Sequence, residues 1–175
     1  LRAGKLRVYI GGIRSGKSEV AERIFSENLK GKRWKAAYLA TVDSHLAKND
    51  PGLKERVAAH QARRPRAWLT HECGAKLSPA PGCQAQLMDG LGNWLALRLQ
   101  DAPGAALKEL EGFLRDLKKQ CRLAILVLDE VGQGGISVNR AQRRFADLNG
   151  LANQRVCAEA DEVWRVDAGL VVRIK

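Results

Sequence analysis

The run Gly11-Gly12-Ile13-Arg14-Ser15-Gly16-Lys17-Ser18 constrains the fold more than any other part of this 175-residue chain. It follows an apolar run at 6–10 and precedes a segment in which Val20, Ala21, Ile24 and Phe25 recur at helical spacing, so the order is strand, glycine-rich turn, helix. Glycines at 11, 12 and 16 let the backbone turn tightly with its N–H groups pointing inward, and the helix aims its positive end at the same point. Lys17 can then reach the β- and γ-phosphates, and the Ser18 hydroxyl can hold Mg²⁺. A loop of this form holds a nucleoside triphosphate and leaves the reaction open.

The remaining pattern extends that unit into an α/β sheet. Residues 35–41 and 84–90 read as buried strands, and 68–70 as a short one. The continuous apolar run at 122–130 is what a parallel strand covered on both faces requires. Helices are expected at 17–29, at 53–63 (ended by Pro65), and from Asn93 to Gln120 with an interruption at Pro103-Gly104. A long helix capped by Ser137 or Asn139 carries Phe145, Leu148, Ala152 and Val156 on one face. Two terminal strands meet at a turn over Asp167-Ala168-Gly169. Strands alternating with helices give a mostly parallel sheet, to which this hairpin adds an antiparallel edge. The length suits a single domain over 1–175.

Composition narrows the class. No apolar run approaches the ~18 residues of a membrane span, and neither a basic-then-apolar leader nor an Arg/Ser-rich transit segment opens the sequence, so a cytoplasmic protein is expected. Cys73, Cys83, Cys121 and Cys157 lack C-x-x-C spacing and read as buried reduced thiols. The net charge of +11 implies an anionic partner and exceeds what a phosphate site alone needs. An aromatic fraction of 5% offers little for stacking on single-stranded nucleic acid, and no nucleic-acid partner is expected.

Ligands of such sheets bind beyond the carboxyl ends of the strands, where the phosphate loop, Thr41, Asp89 and Asp129-Glu130 fall. Asp89 or Asp129 is placed to supply the carboxylate that Mg²⁺ needs beside Ser18; either would serve equally as a turn or helix-start residue. In the segment 55–68, Arg56, His60, Arg63 and Arg64 can share one helical side. Guanidinium groups hold phosphate oxygens, and a neighbouring positive charge keeps an imidazole neutral and nucleophilic. A solvated basic face with an incidental histidine accounts for the same spacing.

The segments GGIRSGKSEVAE, YLATVD, RVAAHQARRPRAWLTHE, LDEVGQGGI and RRFADLNGLANQRVCAEADEVWRVDAGLVVRIK resemble, in order, the bifunctional adenosylcobinamide kinase / adenosylcobinamide-phosphate guanylyltransferase family. Together they cover most of the chain outside about 73–121. The resemblance implies a RecA-like sheet of the phosphate-loop NTPase type and two reactions. GTP or ATP phosphorylates adenosylcobinamide; GTP then guanylylates a histidine, which passes GMP to the new phosphate. By resemblance His60 is the guanylyl acceptor, and Gly11, Gly12, Ile13, Arg14, Ser15, Gly16, Lys17, Ser18, Thr41, Arg63, Arg64, Glu72 and Asp89 contact nucleotide. Ser18 and Asp89 would hold Mg²⁺, with Asp129 as the alternative, and a homo-oligomer, a trimer, is implied. Glu72 would accept hydrogen bonds from guanine N1–H and N2–H, which adenine cannot offer.

Departures from the family pattern bear on the substrate side more than on the nucleotide site: NDPGLKE stands in place of an acidic run, Gly92 and Leu97 in place of a Thr and an Asn, and Ser137 in place of a Pro; separately, Ala59 stands where many members carry a His beside His60. Two other readings use the same loop, a kinase of another small alcohol that would leave His60 idle and a RecA-like nucleic-acid ATPase that would account for the charge.

Overall fold

The computed structural model describes residues 4–41, 58, 62 and 64–175. Among them the chain runs β1 (Lys5–Gly11), α1 (Lys17–Leu29), β2 (Ala36–Ala40), β3 (Leu69–Glu72), β4 (Ala85–Asp89), α2 (Leu91–Leu97), α3 (Pro103–Gln120), β5 (Leu123–Asp129), α4 (Arg140–Glu159), β6 (Glu162–Asp167) and β7 (Leu170–Arg173). The strands form one sheet in the order β3-β2-β4-β5-β1-β6-β7. Every pairing is parallel except β6 with β7, as the alternating sequence pattern requires.

The apolar run of β5 shows why the sheet is covered on both faces. Leu123, Ile125 and Val127 pack with Val20, Ala21 and Phe25 of α1 on one side, while Ala124, Leu126 and Leu128 pack with residues of α2, α3 and α4 on the other. Successive side chains point to opposite faces, so a strand apolar at every position needs two apolar layers. Removing the side chains of β5 from water is worth about 1.5–3 kcal/mol per large aliphatic residue, which makes this central strand a principal anchor of the sheet.

Two expectations change. The helix expected from Asn93 to Gln120 is two helices, α2 starting at Leu91 and α3 at Pro103. Proline occupies the first turn of α3, where its missing N–H costs nothing, so it begins a helix instead of interrupting one. The short strand expected at 68–70 is β3, and it runs on through His71 to Glu72. Asn139 caps α4: its side chain accepts from the N–H groups of Ala141 and Gln142, and Ser137 Oγ in turn accepts from the Asn139 N–H. The helix expected at 53–63 lies outside the described residues except for Ala58 and Ala62, which are helical and exposed. His60 and Arg63 also lie outside them. All four cysteines are free thiols; Cys73, Cys83 and Cys121 are buried and Cys157 half-buried. Burial pushes the Cys121 thiol up to about 12.

Candidate active site

Parallel pairing brings the carboxyl ends of five adjacent strands into one row. Glu72 ends β3 opposite Ala40 of β2, Ala40 pairs with Asp89 at the end of β4, and Asp129 at the end of β5 pairs with Gly11 at the end of β1. The row from Glu72 to Gly11 spans four inter-strand spacings, about 19 Å, a length on the scale of a nucleoside triphosphate.

The phosphate loop occupies the β1 end. Arg14 and Gly16 both have left-handed backbone, with φ of 56° and 90°, the tight turning that a phosphate-binding loop requires. Gly11 is required for space: a Cβ there would lie 2.2 Å from the Val166 carbonyl oxygen. Several backbone bonds fix the loop. Ser15 N–H donates to Gly12 O at 3.3 Å, Gly169 N–H donates to Ser15 O at 2.8 Å, and Glu130 N–H donates to Gly11 O at 3.0 Å. Lys17, 8% exposed, crosses the loop; its ammonium donates to Gly12 O at 3.1 Å and pairs with Asp129 Oδ1 at 2.8 Å. Ile13 and Arg14 are exposed, Gly12, Gly16 and Ser18 half-buried, and Ser15 buried.

The other end of the row is built from side chains. Thr41, 2% exposed, donates its hydroxyl to Gly90 O at 2.7 Å and ties the end of β2 to that of β4. Gly90 has φ 100°, and a Cβ on it would meet Asn93 Nδ2 at 2.7 Å and Thr41 Oγ1 at 3.1 Å. The Arg64 guanidinium lies over the Tyr38 ring, 3.2 Å from its centroid. Burial, reinforced by the negative charge of Asp89, pushes the Tyr38 phenol far above its ordinary value, and Arg64 opposes the shift. Glu72 is exposed at the outer edge.

The structure thus brings together the phosphate loop, Thr41, Asp89 and Asp129, and places Glu72 and Arg64 on the same side of the sheet. Sequence reasoning missed three supports of this row: Tyr38 beneath Arg64, the β6–β7 turn against the phosphate loop, and two asparagines of α4. Asn149 and Asn153 both donate to the Asp129 carbonyl, at 2.8 and 3.0 Å. A signal for them existed, since Asn149 follows Leu148 on the apolar face of α4 and is itself buried.

The oxygen donors at this end of the sheet suit Mg²⁺. Ser18 offers a hydroxyl, and Asp89 and Asp129 offer carboxylates from adjacent strand ends, the hard ligand set that a magnesium ion on a nucleotide uses alongside phosphate oxygens. No group of three or more His, Cys, Asp or Glu suited to enclosing a metal occurs among the described residues.

A glycine-rich loop at the end of β1, inside a mostly parallel sheet with an antiparallel edge, defines a RecA-like phosphate-loop nucleotide-binding protein. Solved structures of that fold are similar: protein PH0250 from Pyrococcus horikoshii OT3, with a TM-score of 0.57 and 7% identity over all of this chain and 88% of that one; and the flagellar accessory protein FlaH from Methanocaldococcus jannaschii, with a TM-score of 0.56 and 12% identity over all of this chain and 80% of that one. At these identities the likeness is one of fold alone.

Sequence is more specific. Residues 8–174 match the CobU family model, described as cobinamide kinase / cobinamide phosphate guanyltransferase. The bifunctional adenosylcobalamin biosynthesis protein CobP of Pseudomonas aeruginosa is 33% identical over 95% of each chain. The corresponding CobU proteins are 32% identical in Salmonella typhimurium and 28% in Escherichia coli, each alignment covering 94% of this chain and 97% of the relative. The chain belongs to the CobU family and is a bifunctional enzyme, a cobinamide kinase and cobinamide-phosphate guanyltransferase.

Proposed function

We propose that both reactions of this enzyme use the single row of strand ends described above, with the triphosphate in the Gly11–Ser18 loop and His60 as the covalent carrier of GMP. The observation that carries the reading is the loop itself: Lys17 crosses it, 8% exposed, with its ammonium against Gly12 and Asp129.

In the kinase step, the hydroxyl of the aminopropanol arm of adenosylcobinamide attacks the γ-phosphorus of GTP or ATP, and the nucleoside diphosphate leaves. The loop amides and Lys17 hold the phosphate oxygens that gain charge. In the transfer step, the neutral imidazole of His60 attacks the α-phosphorus of GTP and expels pyrophosphate. The phosphate of adenosylcobinamide phosphate then attacks the same phosphorus, releases the imidazole and yields adenosylcobinamide-GDP. The covalent intermediate divides one difficult phosphate-on-phosphate displacement into two steps: a neutral imidazole is the nucleophile in the first, and it is a good leaving group in the second. Bound Mg²⁺ would neutralise phosphate charge, held by Ser18 and Asp89 with Asp129 as the alternative ligand. Arg63 and Arg64 hold nucleotide oxygens; Thr41, which ties β2 to β4, and Glu72 complete the nucleotide site, Glu72 by selecting guanine.

The same reading makes 1–175 one domain and the enzyme a cytoplasmic homo-oligomer, a trimer. Free thiols at all four cysteines support a reducing compartment. No helix among the described residues is long and apolar enough to cross a membrane. Light scattering of the purified protein measures the assembly.

The test of the mechanism is labelling with GTP carrying a labelled α-phosphate. Wild type is expected to retain one GMP through a phosphoramidate bond, cleaved by acid and spared by alkali. His60→Ala is expected to lose that label and guanylyl transfer by orders of magnitude while still phosphorylating cobinamide. Label on His45 or His71, or transfer surviving in His60→Ala, would overturn the assignment.

A further inference from the structure

Asp129 closes β5 beside the phosphate loop, and different parts of the chain grip its two ends. Its backbone carbonyl accepts from Asn149 Nδ2 at 2.8 Å and from Asn153 Nδ2 at 3.0 Å. These amides lie four residues apart on α4 and so project from one side of the helix. The Asp129 carboxylate takes the Lys17 ammonium at 2.8 Å. The next peptide is fixed as well, because Glu130 N–H donates to the Gly11 carbonyl at 3.0 Å.

Packing alone does not call for this arrangement. Phe145, Leu148, Ala152 and Val156 already dock α4 on the sheet, and an asparagine only 2% exposed, as Asn149 is, costs desolvation that an apolar residue would avoid. A carbonyl oxygen has two lone pairs and here both are used, so the position of one particular peptide is fixed from two directions. The residue so fixed is the one whose side chain holds the phosphate-loop lysine.

We infer that Asn149 and Asn153 are positioning residues for the phosphate chemistry: they fix the Asp129 peptide so that its carboxylate keeps Lys17 aimed across the loop. An ammonium has three N–H donors. Gly12 O and Asp129 take two of them, and the third is left for a phosphate oxygen. A lysine immobilised before substrate arrives loses less side-chain freedom on binding, and the triphosphate is held correspondingly tighter. The inference also separates the two acids. Asp129 serves the lysine, its second oxygen facing Gly92, where a Cβ would lie 3.4 Å away, and the carboxylate of the magnesium site is Asp89. This rests on the reading of the loop as the triphosphate site.

The experiment uses the full chain with Asn153→Asp, an isosteric change that replaces the donor with an acceptor facing the carbonyl. Asn153 is half-buried; the more buried Asn149→Asp is a second variant, used if its melting temperature shows that it folds. Calorimetry with a non-hydrolysable GTP analogue and with GMP is expected to show about tenfold weaker binding of the triphosphate and unchanged binding of GMP, because Lys17 meets only the outer phosphates. In a Lys17→Ala background the Asn153→Asp change is expected to have no further effect. Asp129→Asn is expected to leave the half-saturating Mg²⁺ concentration of the kinase reaction unchanged and Asp89→Asn to raise it. Equal loss for GMP, or an undiminished loss in the Lys17→Ala background, would reduce the asparagines to a structural role and overturn the inference. A raised Mg²⁺ requirement in Asp129→Asn would overturn it in favour of a metal ligand. A wild type that binds no GTP analogue would sink the loop reading itself, whereas normal wild-type binding with an unaltered Asn153→Asp would sink only the inference.

Discussion

The two halves of the candidate active-site row are built by different means. Along β5, β1 and β6 the phosphate loop is held by backbone bonds, from Glu130 to Gly11, Ser15 to Gly12 and Gly169 to Ser15, so its shape follows from the positions of strands. Along β4, β2 and β3 the row depends on side chains: Thr41 on the Gly90 carbonyl, Arg64 on the Tyr38 ring, Glu72 at an exposed edge. Phosphates are the same in every nucleotide, and main-chain N–H groups meet them without regard to sequence. The features that distinguish guanine from adenine, or one acceptor from another, need side chains that can be exchanged singly. The difference predicts that point changes on the first half remove both activities together and those on the second alter them separately.

The largest effect is expected for Lys17→Ala. Losing a charge-assisted contact to oxygens that gain charge in the transition state costs on the order of 10²–10³ in rate, and both activities should fall together when phosphorylation and guanylyl transfer are assayed separately. Retention of either near the wild-type rate would mean a second triphosphate site and would break the comparison at its first half. A smaller effect is expected at Tyr38. Cation–π contact with a desolvated arginine is worth up to about 2 kcal/mol, so Tyr38→Leu should raise the KM for GTP in guanylyl transfer by about fivefold to tenfold with kcat little changed, and Tyr38→Phe by less. An equal fall in kcat for both reactions would place Tyr38 with the phosphate half.

How much of this was legible in sequence follows the same division. The loop, β1 and α1 are contiguous, and β5 announces itself by an unbroken apolar run, so local pattern sufficed for them. Pro103 was misread because a proline in a helical pattern ends one helix or starts the next, and only the break at 98–102 decides which. The supports of the row were illegible because they join distant residues. Gly169 meets Ser15 from the far end of the chain, the asparagines meet Asp129 from 20 and 24 residues away, and Tyr38 reads simply as a buried strand residue until Arg64 is seen on its ring. Thr41 and Asp89 were read from the ends of their strands, yet the hydroxyl bond from Thr41 to Gly90 required the parallel register of β2 and β4.

The smallest effect sharpens the comparison by probing the foot of the braced half. Glu162 opens β6 and pairs with Lys5 at 2.5 Å and Arg7 at 2.7 Å on neighbouring β1, at the opposite end of the strands from the phosphate loop. Burial pushes its carboxyl up, but hydrogen bonding from Lys5 and the charges of Arg7 and Lys5 outweigh this and hold it below the ordinary glutamate value. A carboxylate depressed in the folded state releases its proton more readily there than in the unfolded chain, so it stabilises the fold at any pH above its unfolded value. That contribution disappears as pH falls from the unfolded value, about 4.3, through the lower folded one. Lys5 is 44% exposed, which weakens its share through solvent screening, so Glu162→Gln should cost about 1 kcal/mol at neutral pH, or roughly 3 °C in Tm. Thermal melts from pH 7 down to about pH 3 should show the wild type losing its advantage over Glu162→Gln below about pH 4.3, while the KM for GTP at neutral pH stays the same in both. A gap that persists undiminished in acid would show that the stabilisation is not ionic. A raised KM at neutral pH would show that the loop depends on the foot of β1 and β6, and that its backbone bonds alone do not fix it.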